Sequence, residues 1–394
     1  MSDKKKRVAH PRASSSTQDN RGAHPCEHAP RSTPASHASR IIGPNPKGQL
    51  RIVSLAVKHF LESLDSLDPK SPLLVGLSGG ADSLALTLGV IDWATRTGRQ
   101  VHTLTIDHGL RPESAQEAEK VAALARELGA LADIEKVEIG SVGGPEGAAR
   151  EKRREALARR AQELGAPVLL GHTLNDQAET VLLRLARGSG AHSLRAIRPK
   201  VVDSQGLLWL RPLLGVRRET TEGACEQAGL EWVKDPTNDP QGPWRAADGG
   251  PLRRSAVRAH ALPSLAQALG VDPIPALARS AELADRDDEA LASWAKSAWH
   301  TVKREALFPD GSRAPALDIL PMVELPMAIR TRIIRRFCLE GGARAGALSS
   351  RLIDEVDALL CQWHGQKGVD IAGVRVRRGR DIAARPVLIV ENTH

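Results

Sequence analysis

Leu73-Leu74-Val75-Gly76-Leu77-Ser78-Gly79-Gly80-Ala81-Asp82-Ser83 runs straight into a helix-like stretch that begins Leu84-Ala85-Leu86. Five apolar positions ending in a glycine pair framed by hydroxyls predict a buried strand that turns through Ser78-Gly79-Gly80 into a helix. Such a turn leaves unpaired backbone N–H groups at a helix N-terminus. With the helix dipole they suit a phosphate or pyrophosphate. The glycines let backbone approach a ligand that a Cβ would keep away. The candidate phosphate-binding residues are therefore Ser78, Gly79, Gly80, Ala81, Asp82 and Ser83. Asp82 fits an anion cradle only if a divalent cation lies between it and the phosphates. An ordinary strand-to-helix turn is the plainer alternative, but Gly-Gly framed by Ser and Asp-Ser is more specific than that. No Gly-Lys-Ser/Thr follows, as a Walker A loop requires, and the G-x-G-x-x-G spacing is missing.

Outward from this turn, strands and helices alternate. An amphipathic helix over 52–64 precedes the strand at 73–77, whose helix runs to about 95. A strand at 101–106 leads to a helix at 113–128, and an apolar segment covers 134–139. A helix at 146–164, a strand at 168–171 and a helix at 176–187 follow. This alternation predicts an α/β fold, a parallel sheet with helices on both faces, whose ligands gather at the carboxyl ends of the strands. From about Pro263 the pattern is mainly helical, with stretches at 275–303, 327–341 and 349–363, and a β-like tail at 369–376 and 387–390. Residues 239–251, dense in Gly, Pro and Asp, read as a mobile loop or linker. The expected division is a disordered arm over 1–45, an α/β domain over 46–250, a helical domain over 251–365 and a β-like tail over 366–394.

A chain of 394 residues can bury a substantial core and hold two domains with appendages. Lys and Arg outnumber Asp and Glu by 55 to 47, and the pI near 9.6 favours a polyanionic partner such as nucleic acid. Residues 1–45 carry eight basic and three acidic side chains, so the arm supplies most of the net charge of +8. Cys26, Cys225, Cys338 and Cys361 lie far apart with no C-x-x-C pair, which argues against a disulfide framework and a cysteine metal site. No apolar run reaches the roughly eighteen residues of a membrane span, and the basic N-terminus lacks a following apolar region. A cytoplasmic protein with no membrane partner is expected. With seven Trp, three Phe and no Tyr, extensive base stacking on an aromatic platform is not.

Three further clusters fall where the strands should end. Asp107 and His108 close the second strand near the phosphate loop; a turn with a capping Asp is the alternative. Arg150, Arg154, Leu157, Ala161 and Leu164 share one helical stripe, apolar at its C-terminal end and basic at the end that starts from the ligand edge of the sheet. Arg150 is thereby a candidate nucleotide contact, whereas Arg159 and Arg160 read as a solvated face. In Gly171-His172-Thr173-Leu174-Asn175-Asp176-Gln177-Ala178-Glu179, the carboxylates of Asp176 and Glu179 project together near a helix start. Beside the positive end of a dipole they suit a metal ion or a substrate ammonium. An N-cap role for Asp176 would leave His172 and Glu179 unexplained.

Ser78–Ser83 resembles the SGGxDS motif of the PP-loop ATP pyrophosphatases, which cleave ATP between its α- and β-phosphates and adenylate a carbonyl oxygen. Over roughly 70–265 the chain resembles the tRNA(Ile)-lysidine synthases in particular. The matching stretches are Ser78–Ser83, Asp107-His108-Gly109-Leu110-Arg111, Ala149-Arg150-Glu151-Lys152-Arg153, 171–190, Arg211-Pro212-Leu213-Leu214 and 232–238. There are two departures. Asn175-Asp176 stands where the family usually has two acids, and Arg254-Ser255-Ala256-Val257-Arg258 stands for its Arg-Asn-Arg-Ile-Arg run.

The resemblance implies an adenine nucleotide α-hydrolase-like fold with the catalytic, ATP-binding domain at 46–250 and a tRNA-contacting helical domain behind it. It implies ATP and Mg²⁺ as cofactors, with Asp82 and Asp176 as candidate metal ligands. CAU-anticodon tRNA(Ile) and free lysine are the implied substrates. Asp82, Asp176, Glu179 and His172 are the implied catalytic group, with a carboxylate or His172 as base, and Arg254 and Arg258 are implied tRNA or phosphate contacts. The oligomeric state is left open, a homodimer included. A PP-loop tRNA thiolase normally needs paired cysteines. A catalytically silent tRNA-binding protein is the alternative that the two departures raise, and intact Ser78–Ser83 speaks against it. An amide-forming ligase acting on a small metabolite is the third.

Overall fold

A computed structural model describes residues 36–393 except 66, 110–112, 138–144, 189, 234–240, 243–244 and 247–248. Strand β1 (Leu73–Gly76) lies inside a six-stranded sheet with β2 (Val101–Asp107), β3 (Leu131–Lys136), β4 (Val168–Leu170), β5 (Lys200–Val202) and β6 (Leu208–Leu210). The order is β3-β2-β1-β4-β6-β5, parallel throughout except for the β5–β6 edge pair. Successive side chains of β1 feed opposite faces, as the pleat requires. Leu73 and Val75 join a cluster with α2 (Gly48–Glu62), α3 (Ala81–Thr97), α4 (Ser114–Leu128) and α8 (Arg218–Gln227). Leu74 packs on the other side with Ala156, Leu157 and Ala161 of α5 (Pro145–Leu164). A continuous apolar run is the pattern of a strand covered on both faces.

Helix α1 (His37–Ile42) falls inside the span expected to be a disordered arm. Its cap is the reason it forms there: Ser36 Oγ accepts from Ser39 N at 3.1 Å and from Thr95 Oγ1 at 2.9 Å, while Ala38 and Ile42 join the α2–α3 core. Residues 1–35 of the arm lie outside the described residues.

After β4 come α6 (Leu174–Leu185) and α7 (Ala191–Leu194). Beyond the sheet, α9 (Arg253–Ala256), a π-helical turn (Val257–Ala261), α10 (Leu262–Leu269) and the 30-residue α11 (Pro273–Val302) follow one another. Ala281 of α11 packs with Val181 of α6 and Ala196. Asp288, also on α11 and buried, accepts from Arg195 Nη1 at 2.9 Å and Arg332 Nη2 at 2.7 Å and contacts His192 Nδ1 at 3.0 Å. The β-like tail is part of a larger element than expected. Strands β9 (Val369–Ile371), β10 (Val374–Arg380) and β11 (Pro386–Asn392) join β7 (Lys303–Leu307) and β8 (Arg313–Asp318) in an antiparallel sheet of order β7-β8-β11-β10-β9. Helices α12 (Ile319–Val323), α13 (Met327–Glu340) and α14 (Ser350–Cys361) share its core through Met322, Phe337 and Val356. No helix among the described residues is long and apolar enough to cross a membrane.

The chain leaves β1 for β2 on one side and later returns to β4 on the other. The carboxyl ends of β1 and β4 therefore frame the switch point of the sheet, where the loops after adjacent strands diverge and leave a crevice. Here the two loops touch. A Cβ on Gly171 would meet the Asp82 carbonyl oxygen at 2.8 Å, and backbone cannot yield as a side-chain tip can. Gly171→Ala is expected to destabilise the chain by about 1–3 kcal/mol through this overpacking, which denaturant unfolding would measure. A change below about 0.5 kcal/mol, the range of ordinary surface substitutions, would show that the loops are not held in contact.

Candidate active site

The turn after β1 is fixed from within. Gly79 sits at φ +81°, and a Cβ there would come within 2.5 Å of Val121 Cγ2. Ser83 Oγ accepts from Ser78 N at 3.2 Å, lies 3.2 Å from Ser78 Oγ and donates to the Gly80 carbonyl at 2.9 Å. Ser83 thus holds the loop shape, and Gly80 starts α3 with no side chain over its first-turn N–H groups. This is a cradle of backbone donors at a helix N-terminus.

The opposite wall is the start of α6. One oxygen of Asp176 caps its own helix, with Oδ2 accepting from Thr173 N at 2.8 Å and Thr173 Oγ1 at 3.0 Å. The other, Oδ1, accepts from Arg218 Nη2 and Arg254 Nη2, both at 3.0 Å. One turn on, Glu179 has no exposed surface at all. Its Oε1 takes Arg258 Nε at 2.7 Å and Arg218 Nη1 at 3.1 Å, and its Oε2 takes Arg254 Nε at 2.7 Å and Arg258 Nη2 at 3.3 Å. Arg218 also reaches the phosphate loop, where Nε donates to Asp82 Oδ2 at 3.2 Å while Thr221 Oγ1 donates to Asp82 Oδ1. Three carboxylates from two strand-end loops therefore meet three guanidiniums.

Electrostatics divides these groups. Burial acts to raise all three carboxyls. At Asp176 it is overridden by Arg254 and Arg218, with His172 and the Thr173 N–H adding, and the pKa falls to about 2. At Glu179 it is overridden by Arg258, Arg218 and Arg254, again giving a lowered value. At Asp82 burial prevails over Arg218 and Thr221, helped by nearby Asp176, and the pKa rises. His172 drops to about 3, chiefly by burial and further by Arg211, Arg153 and Arg254 against the pull of Asp176. It is neutral at physiological pH, and its buried Nδ1 meets no hydrogen-bond partner among the described residues.

The remaining candidates are placed differently. Asp107 accepts from Gly109 N at 2.9 Å, closing its own turn; burial acts to raise its pKa, but Ser114, this N–H and Lys136 outweigh it. His108 follows it at the end of β2. Arg150 is exposed on α5, close enough to Arg153, Arg184 and Arg211 to lower their pKa values after burial has done so. Arg154 stacks over the Trp209 ring at 4.7 Å and lies 3.8 Å from Asp203, so the stripe turns away from the acids there, and it is Arg153, off that stripe, whose charge reaches Asp176. Arg254 and Arg258, expected to touch phosphates, hold Glu179, because positions four apart on a helical segment share one face. Asn175 Oδ1 accepts from Arg218 N at 3.0 Å and so ties α8 to α6 with a neutral acceptor.

Arg218 and Thr221 escaped the sequence reading. A signal was available: Arg218 opens α8, where a cation opposes the dipole at a cost of about 0.3–1 kcal/mol unless acids answer it. Residues 110–111 and 234–238, part of the motifs that carried the resemblance, lie outside the described residues.

A tRNA(Ile)-lysidine synthase of Thermobifida fusca is 42% identical over 345 residues, covering 86% of this chain and 98% of that protein. The chain belongs to the tRNA(Ile)-lysidine synthase family. Members from Streptomyces coelicolor and Salinispora tropica are 43% and 42% identical, over 79% and 84% of the chain and 84% and 95% of their own lengths. The PP-loop domain model matches residues 51–247, and the TilS substrate binding domain model matches 317–381, across β8 to β10. Among solved structures, the U34-tRNA thiolase NcsA of Methanococcus maripaludis with its [4Fe-4S] cluster aligns at TM-score 0.50 and 17% identity, over 60% of this chain and 79% of that one. That likeness extends to the fold alone.

Removing one partner of a buried charge network costs about 3–5 kcal/mol, so Glu179→Ala should lower unfolding stability by that amount, against less than 1 kcal/mol if the guanidiniums re-solvate freely. Asp176 contributes with a defined sign. Its folded pKa lies below the ordinary 3.8, so its stabilisation is complete above about pH 5 and fades as pH falls toward 2. The stability gap between wild type and Asp176→Asn should therefore close over that window in denaturant titrations. A gap independent of pH would contradict the ion pairing.

Proposed function

We propose that the chain joins free lysine to C2 of the wobble cytidine of CAU-anticodon tRNA(Ile) through an ATP-dependent adenylated tRNA, in the cytoplasm. The observation that carries this reading is the acid pair Asp176–Glu179 set directly beside the Ser78–Ser83 cradle through Arg218 in a member of the lysidine synthase family. The backbone N–H groups after β1 would hold the ATP phosphates. Attack by the C2 carbonyl oxygen on the α-phosphate forms an O–P bond and expels pyrophosphate. The ε-amine of lysine then bonds to C2, loses its proton, and the C2–O bond breaks as AMP leaves with that oxygen.

Asp176 and Glu179, kept ionised by their arginines, would hold the lysine ammonium on arrival. Neutral His172, whose Nδ1 has no partner among the described residues, offers an uncharged polar atom beside Asp176. Among the described residues no group of three or more acids, His or Cys is arranged as a metal cage. Mg²⁺ needs only one or two carboxylates plus phosphate oxygens, and the oxygen donors Asp82 and Asp176 suit it; it would offset charge on the transferring phosphoryl group. The two buried cysteines speak against sulfur transfer through them. Burial pushes the Cys225 thiol up to about 12 and Cys338 up to about 11, and a protonated thiol is a poor nucleophile.

Incubation with ATP, Mg²⁺, radiolabelled lysine and tRNA transcripts that differ only at the wobble base should label only the CAU-anticodon isoleucine transcript, with AMP released. Label in no transcript would refute the assignment. Asp176→Asn should raise KM for lysine about 30-fold or more, because losing one member of a desolvated charge pair costs about 2–5 kcal/mol. An unchanged KM would move the amine elsewhere.

A further inference from the structure

Arg218 joins the phosphate loop to the acid pair by three ion pairs: Nε to Asp82, Nη1 to Glu179 and Nη2 to Asp176. Its three contacts radiate from a single rigid planar fork, so moving it disturbs all three together. The charges paired directly here are Asp82, Asp176 and Glu179 against Arg218, Arg254 and Arg258, which cancel. A lysine ammonium approaching Asp176 and Glu179 consequently finds their oxygens already answered and gains little net attraction. Arg258 grips Glu179 through two N–H groups and Arg254 adds a third while also holding Asp176, whereas Arg218 holds each of its three acids by a single N–H. Arg218 also pairs with Asp82, so a change at Asp82 acts on it directly.

We infer that Arg218 is a positioning residue that couples the two substrate sites: drawing Asp82 to nucleotide-bound Mg²⁺ detaches the Arg218 fork and opens the acid pair to lysine. This rests on the function proposed above and adds an order to it. Without nucleotide, Arg218 occupies the ammonium's partners. With nucleotide, the cation replaces Arg218 at Asp82, the phosphates offer the released guanidinium a new anionic partner, and an ammonium can take its place between Asp176 and Glu179. Lysine would then be admitted only where a nucleotide is present to activate the tRNA. Thermodynamic linkage makes the effect mutual, with lysine tightening nucleotide by the same factor.

The test is equilibrium dialysis of radiolabelled lysine against the full chain, with and without Mg²⁺ and α,β-methylene-ATP. Wild type should bind lysine at least about fivefold more tightly with the nucleotide, the lower range of such couplings. Arg218→Gln removes one positive charge and should bind lysine without nucleotide more tightly than wild type does, with the coupling reduced to near one. Arg218→Lys keeps the charge but not the fork; it should lose coupling without the gain in affinity, and it preserves the test if the Gln variant does not fold. Retention of wild-type coupling in either variant, or weaker lysine binding in Arg218→Gln both with and without nucleotide, would overturn the inference and leave the proposed function standing. Absence of lysine binding to wild type with nucleotide present would remove the proposed function and the inference together.

Discussion

The structure turns on a fully buried glutamate. Glu179 has lost all contact with water, and an isolated ionised carboxylate in that position would be expensive enough to shift its pKa and neutralise. Four N–H donors from Arg218, Arg254 and Arg258 keep it charged. Those arginines stand on α8, α9 and the π turn, so one carboxylate fastens the segments on either side of residues 228–252 to α6. Buried charge networks of this kind add less net stability than their pairs suggest, since desolvation offsets the Coulomb gain. Their effect is geometric: the network places three guanidiniums and two further acids within reach of one crevice.

That crevice lies where sheet topology leaves room for it. The loops after β1 and β4 diverge at the switch point, yet Gly171 lets them approach to backbone contact beside Asp82. A phosphate cradle and an acidic pocket can therefore share a wall, as transfer from an activated tRNA base to an amine requires. Gln177 secures the same wall from behind, since its Nε2 donates to the Ile197 carbonyl at 2.9 Å and its Oε1 accepts from Ile197 N at 2.7 Å.

The parallel sheet was legible because apolar runs and amphipathic stripes alternate at the right lengths, and Leu73 to Ser83 states both the strand and its turn. Asp82, Asp176 and Glu179 were legible as acids at strand ends. Their arginine partners were not, because the chain separation between Glu179 and Arg258 hides a contact that only the folded α9 and π turn create. Arg218 was hidden differently, as one of two adjacent arginines whose cost at a helix start goes unnoticed without its partners. Strands β7 and β8, Lys303–Leu307 and Arg313–Asp318, lack β-branched residues, so propensity reads past them. The turn between them, Phe308-Pro309-Asp310-Gly311 with Gly311 at φ +84°, carried the signal instead.

The central claim is that one crevice holds both the phosphates and the amine. A crystal structure of the chain with α,β-methylene-ATP, Mg²⁺ and lysine tests it most directly. The account predicts phosphates on the backbone N–H groups of 78–83 and the lysine ε-nitrogen within hydrogen-bond reach of Asp176 and Glu179. Lysine bound elsewhere, with Asp176 and Glu179 still fully engaged by the three arginines, would contradict it.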